Sequence, residues 1–104
     1  MKVTVNTDSI LEEISMFENY IKNNLPSFSH IEDKEHREMT ISSFKLFELQ
    51  EFQRRARAYF SFLNYCSPES ESNEKKYLHV YGKIEDVLTW LVSEISITQK
   101  SIFK

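Results

Sequence analysis

The most informative stretch of this sequence is residues 43–66, which read SFKLFELQEFQRRARAYFSFLNYC. It holds five of the eight phenylalanines, both alanines and the densest group of basic residues, and neither Gly nor Pro interrupts it. Its apolar residues recur at steps of three and four, the spacing of one face of an α-helix. They are Leu46, Leu49, Phe52, Ala56, Tyr59, Phe60 and Leu63. The stretch is therefore predicted to be a helix with a continuous apolar stripe.

A second, thinner apolar set lies roughly opposite this stripe, with Phe44 and Phe47 near one end and Phe62 and Tyr65 near the other. A helix that packs on a single neighbour needs only one apolar side. The second set therefore predicts a helix that is either central in a bundle or covered by another chain, and the central position is favoured.

The composition favours long helices in one domain, residues 1–104. One Gly and two Pro are few for 104 residues, and sheets of this size need the turns that Gly and Pro favour. A single cysteine excludes an internal disulfide, and no long apolar run or signal-peptide pattern is present. We expect a cytoplasmic protein with no membrane span. The abundance of Ile, Asn, Lys and Ser suggests an A/T-rich coding genome, such as that of a bacterium or its phage.

Helices are also predicted on both sides of the central stretch. A stripe from Ile10 to Ile21 with a capping box at Ser9 and Glu12 predicts a helix over residues 9–24, which Pro26 ends. A heptad pattern from Tyr77 to Ile102 predicts another over residues 75–100, after a loop at 67–73.

The segment between the first two helices is ambiguous. Ser29 and Glu32 match a second capping box, whereas residues 40–43 are poor helix formers in succession. One kinked helix from about 30 to 66 is favoured. The alternatives are a helix that starts near 43, preceded by a fourth short helix near 30–39, and a strand at 38–42.

The predicted fold is an all-α antiparallel bundle of three long helices, at about 9–24, 30/43–66 and 75–100. The competing prediction is α+β, with short strands at 2–6, 38–42 and 76–81, because these segments contain alternating or β-branched residues.

Nothing in the sequence predicts catalysis, a metal site or a cofactor. Cys66 would lie at the C-terminal end of its helix, where the helix dipole disfavours a thiolate. His30, His36 and His79 belong to no paired ligand motif, and one glycine cannot form a phosphate-binding loop. We therefore expect a protein that is not an enzyme.

The residues that look most functional are the basic cluster and nearby aromatics. Arginine among aromatic side chains is typical of protein interfaces, although Glu51 and Arg55 could simply pair on a solvated face. Trp90 shares a flank of its helix with Ile97 and could add a second contact. The candidate partner-binding residues are Arg54, Arg55, Arg57, Phe62, Tyr65 and Trp90.

The expected function is that of a small non-enzymatic protein-interaction module, acting as a regulator, inhibitor or assembly subunit. Its partner would be another protein or a second copy of itself. One alternative is nucleic-acid binding through Arg54, Arg55 and Arg57, which a net charge of −3 supports weakly. The other is a structural homodimer.

Overall fold

Three α-helices and no strand make up the part of the chain that the computed structural model describes, residues 7–65 and 71–103. Helix α1 spans Thr7–Asn23, α2 spans Lys34–Tyr65 and α3 spans Glu71–Ile102. Side chains are described for residues 7–64 and 75–103. The predicted all-α bundle is confirmed, with helix ends within a few residues of the expected ones.

The ambiguous segment belongs to one continuous helix, α2, which begins at Lys34. The predicted strand at 38–42, the fresh helix start near 43 and the separate short helix near 30–39 are therefore wrong. Thr40 donates its hydroxyl hydrogen to the carbonyl oxygen of His36 at 2.8 Å, and Ile41 and Ser42 are half-buried. Packing thus outweighs the weak helix propensity of these residues.

The predicted strand at 76–81 is also wrong, since α3 runs through it and through Gly82. Val80 is buried there, at a position one helical turn before buried Ile84. The predicted loop at 67–73 is too long at its end, because residues 71–73 form the first turn of α3. The predicted strand at 2–6 and Cys66 lie outside the described residues.

Asp33 caps the start of α2. Its side-chain oxygen Oδ2 accepts a hydrogen bond from the backbone N–H of His36 at 3.3 Å, and its carbonyl oxygen accepts one from the N–H of Arg37 at 2.9 Å. The cap expected at Ser29 is therefore wrong. Just before it, Phe28 takes a left-handed backbone conformation with φ 51°, and its ring meets that of Phe44 edge-on at 5.5 Å. This contact holds the linker against α2.

The core combines one stripe from each helix. Its buried residues are Ile10, Ile14, Ile21, Leu49, Phe52, Ala56, Leu63, Val80, Ile84, Val87 and Leu91. Helices α2 and α3 run antiparallel. Lys45 Nζ, early in α2, lies 3.3 Å from Glu94 Oε2, late in α3, whereas the ring of Phe60, late in α2, lies 4.5 Å from that of Tyr81, early in α3. The apolar stripe predicted for residues 46–63 is thus the face of α2 that packs in the core.

The molecule is a rod of 57 × 23 × 20 Å. Helices α2 and α3 have 32 residues each and α1 has 17, so α1 covers only about half of the α2–α3 hairpin. It lies antiparallel to α2 and parallel to α3. Within residues 7–65 and 71–103, no helix is both long and apolar enough to cross a lipid bilayer.

Candidate protein-contact surface

The three arginines of the basic cluster do not form one patch. Successive residues of a helix point about 100° apart. Arg54 and Arg57 are exposed three residues apart on α2, and the Arg54 side chain is 79% exposed. Arg55 points instead toward α1. A partner on the side of α2 that carries Arg54 would therefore meet Arg57 as well, but not Arg55.

Arg55 belongs to a bridge that joins α2 to α1. Its Nη1 donates to Glu13 Oε1 at 2.5 Å, and the Tyr59 hydroxyl donates to Glu13 Oε2 at 2.5 Å. The hydrogen bond to Glu13 is the main cause that raises the pKa of Tyr59, and burial of the ring adds to it. The same carboxylate raises the pKa of the Arg55 guanidinium. The guanidinium of Arg55 is thus paired with Glu13 within the molecule, while 61% of the Arg55 side chain stays exposed.

Two shallow depressions flank this bridge between α1 and α2, with volumes of about 280 and 500 Å³. Phe17, Phe52 and Arg55 line both of them. Burial and the charge of Glu48 raise the pKa of Tyr20, which lines the larger one. The depressions beside α1 are therefore lined by aromatic side chains, Phe17 and Phe52 among them, and by glutamates such as Glu13 and Glu48.

The side of α2 opposite the core carries a regular row of residues, which we call the outer stripe. It consists of Thr40, Phe44, Phe47, Glu51, Arg54, Ala58 and Ser61. Phe47 is 59% exposed, and Arg54 Nη1 lies 3.5 Å from Glu51 Oε1. Ala58 and Ser61 are also exposed. This side of α2 packs against no other helix in the described part of the chain.

Phe62 and Tyr65 are near the C-terminal end of the outer stripe. Phe62 is 42% exposed and lies one helical turn after Ala58 of the outer stripe. Tyr65 is the last residue of α2, and its side chain lies outside the described residues. Phe62 is thus brought near the same surface as Arg54, while nothing is established for Tyr65.

Trp90 lies elsewhere, on the side of α3 that faces α1. Phe17 meets its indole ring edge-on at 6.5 Å, and Lys22 Nζ lies 5.9 Å from the ring centroid. Trp90 is half-buried in this contact, whereas Ile97, one heptad later, is 58% exposed. The structure therefore places Trp90 in the packing between α1 and α3 and separates it from the arginines.

Other exposed apolar side chains are distributed over several faces. They are Met16, Met39, Leu78, Val92, Ile97 and Phe103. Single exposed apolar residues are common on soluble proteins and need no special explanation. Among the residues described, no three His, Cys, Asp or Glu side chains could together hold a metal ion.

Sequence reasoning named Phe47, Glu51 and Ala58 but did not select them as contact residues. These three residues and Arg54 follow one another at alternating steps of four and three, so the sequence alone could have placed them on one side of the helix. The Glu13 bridge was missed entirely, because an ion pair between residues 42 positions apart leaves no local pattern.

Comparison of this chain with known proteins and protein families finds no similar one. No protein-family model matches the chain, and neither a curated protein nor a solved structure does.

Proposed function

We propose that this chain is a small non-enzymatic protein-interaction module, a regulator, inhibitor or assembly subunit, which contacts its partner through the outer stripe of α2. The observation that carries the proposal is the exposure of Phe47, 59%, in line with the exposed guanidinium of Arg54. Arg57 and Phe62 flank this row.

The composition of the surface supports protein contact. Aromatic residues and arginine are enriched in protein interfaces, and they dominate the residues whose truncation costs most binding energy. The backbone that presents them is also well ordered by packing, because Leu49, Phe52 and Ala56 anchor the opposite side of α2 in the core. A preorganised helix face loses less entropy on binding than a loop does.

The histidines give no support to an enzymatic role. His30, His36 and His79 are each exposed, on the linker, α2 and α3 respectively. A general base whose pKa is tuned for catalysis usually lies in a partly desolvated pocket beside the group it serves. We therefore retain a non-enzymatic function in the proposal.

Nucleic-acid binding receives less support from the geometry. Arg55 is engaged by Glu13, and Glu51 lies beside Arg54. Phosphate recognition relies on uncompensated Lys and Arg, which release counterions on binding. The surface around Arg54 and Arg57 thus offers only two such charges next to acidic side chains.

The test is affinity capture with the tagged chain from a bacterial lysate, in nuclease-treated and untreated halves. Two variants alter the surface: Phe47→Asp, and Arg54→Glu combined with Arg57→Glu. Their matched controls on α3 are Leu78→Asp, and Lys76→Glu combined with Lys100→Glu, all at exposed positions.

We expect a defined protein in both halves, which both α2 variants lose and both α3 controls retain. Circular dichroism verifies that each variant keeps its helicity. Capture that depends on intact nucleic acid, or that the α2 and α3 variants affect equally, would contradict the proposal.

A further inference from the structure

We infer that the partner which the outer stripe fits is a second copy of this chain, with the two α2 helices packed antiparallel. The inference rests on the proposed function and identifies the partner of the same surface. It is carried by the self-complementary order of charges and side-chain sizes along that stripe.

The outer stripe is a straight row along one side of α2. Its seven residues follow one another at alternating steps of four and three, and three of them are apolar: Phe44, Phe47 and Ala58. The pattern continues for three heptads, from Thr40 to Ser61. This side of α2 is distinct from the stripe that packs against α1 and α3.

The charges of the stripe select the antiparallel orientation. Suppose that a two-fold axis, which passes midway between residues 51 and 54, relates the two α2 helices. Glu51 of each copy then lies opposite Arg54 of the other. In a parallel pairing in register, Glu51 would face Glu51 and Arg54 would face Arg54, and these contacts repel. The antiparallel pair instead gains two ion pairs related by symmetry, as expected for an isologous interface.

Side-chain sizes match in the same register. Phe47, the most exposed aromatic residue of the stripe, lies opposite Ala58, whose small side chain leaves room for the ring. Phe44 lies opposite Ser61, but its ring is half-buried against Phe28 of the linker, so Phe47 is the exposed aromatic residue of this contact. One register thus satisfies both the charged and the apolar positions.

The expected affinity is modest. A three-heptad contact is about 32 Å long at 1.5 Å per residue, shorter than α2 itself. Standard interfaces bury roughly 800 Å² on each partner, so α1, whose exposed Met16 borders the α2 flank, must contribute to the contact. We therefore expect a dimer that forms at micromolar to millimolar concentration.

Sedimentation equilibrium of the untagged full-length chain over that concentration range tests the inference. We expect a monomer–dimer equilibrium in the unmodified protein. Glu51→Arg and Arg54→Glu should each raise the dissociation constant at least about tenfold, because each replaces two attractions by two repulsions. The double variant E51R/R54E should restore it to within about threefold of the original.

Controls separate dimerisation from folding. The single variants lose the intrahelical pair between residues 51 and 54, so urea unfolding is measured on each of them. Exposed pairs of this kind contribute little stability, and all three variants should remain folded. Glu85→Arg, a charge reversal at an exposed position of α3, should leave the dissociation constant unchanged.

Two results would overturn the inference. One is a chain that stays monomeric at millimolar concentration. The other is a dimer that the single reversals do not weaken, or that the double variant does not restore. A monomeric chain that captures a different protein through Phe47 would overturn the dimer and leave the proposed function standing, so the two failures are distinguishable.

Discussion

Phe17 of α1 and Phe52 of α2 stack face to face, with 3.9 Å between ring centroids and 5° between ring planes. The same Phe17 ring meets Trp90 of α3 almost perpendicularly, at 76°. One side chain therefore contacts both long helices, and it holds the shorter helix at the point where all three meet.

Replacement of Phe17 by Ala should destabilise the fold by about 2–4 kcal/mol. Truncation of a well-packed phenylalanine costs about 3–5 kcal/mol, and Phe17 is only half-buried. The free energy of unfolding in urea measures the effect. Met16→Ala is the control on the same helix, because Met16 is 65% exposed, and it should change stability by no more than about 0.5 kcal/mol. Equal effects from both substitutions would contradict the role assigned to Phe17.

Glu13→Gln should lower the pKa of Tyr59 toward its ordinary value of 10.0. The phenol donates to the Glu13 carboxylate, and its ionisation would place a second negative charge beside that group. Ultraviolet titration of tyrosinate measures the change, and Tyr59→Phe identifies which tyrosine titrates. The raised pKa of Tyr20, which Glu13 does not cause, provides an internal reference. An unchanged titration would show that the bridge does not form in solution.

The same bridge predicts a pH dependence of stability. The folded-state pKa of Tyr59 is above its unfolded value, so the stability that it contributes is complete below pH 10 and is lost as the pH rises through the folded pKa. The difference in unfolding free energy between the unmodified chain and Tyr59→Phe should therefore be constant at neutral pH and shrink in strong alkali. A difference that grows with pH would contradict this sign.

Gly82→Ala should stabilise the protein by about 0.5–1 kcal/mol. Gly82 lies inside α3, and a methyl group added there would meet no atom within 4 Å apart from its chain neighbours and the backbone of its own helix. Alanine in a helix costs less backbone entropy than glycine does. Thermal unfolding followed by circular dichroism gives the shift. Destabilisation would mean that α3 is not a regular helix at this position.

Asp33→Ala should cost about 1 kcal/mol, since the Asp33 carboxylate accepts the N–H of His36 at the start of α2. The neighbouring Glu32→Ala removes one negative charge from the same exposed linker and makes a matched control. Urea unfolding compares the two variants. A larger loss for Glu32 than for Asp33 would contradict the assignment of the cap.

Much of the fold could be predicted from local patterns. The stripe between Leu46 and Leu63 and the scarcity of Gly and Pro were enough to predict long helices in an antiparallel bundle. The continuity of α2 was favoured by the sequence, and the structure confirms one helix over Lys34–Tyr65, but local patterns left a break or a strand near 38–43 open. Residues 40–43 have poor intrinsic propensity, and their helical state depends on half-buried Ile41 and Ser42, whose environment no local pattern reveals.

The candidate surface was predictable only in part. The cluster at Arg54, Arg55 and Arg57 is obvious in the sequence, but its division between two sides of α2 depends on where α1 packs. Glu13 determines the environment of Arg55 from another helix. Trp90 similarly looks like a surface residue in its own heptad, and only the position of Phe17 shows that it is half-buried.

The unequal lengths of the helices imply that the rod does not open as one unit. Residues 34–44 of α2 and 95–102 of α3 extend past α1 and rely on each other and on the linker. Backbone amides there should exchange with deuterium through partial opening, well before those around Leu49 and Ile84, which exchange only when the whole molecule unfolds. The end of the rod formed by residues 34–44 and 95–102 is therefore expected to open locally while the middle of the bundle stays folded.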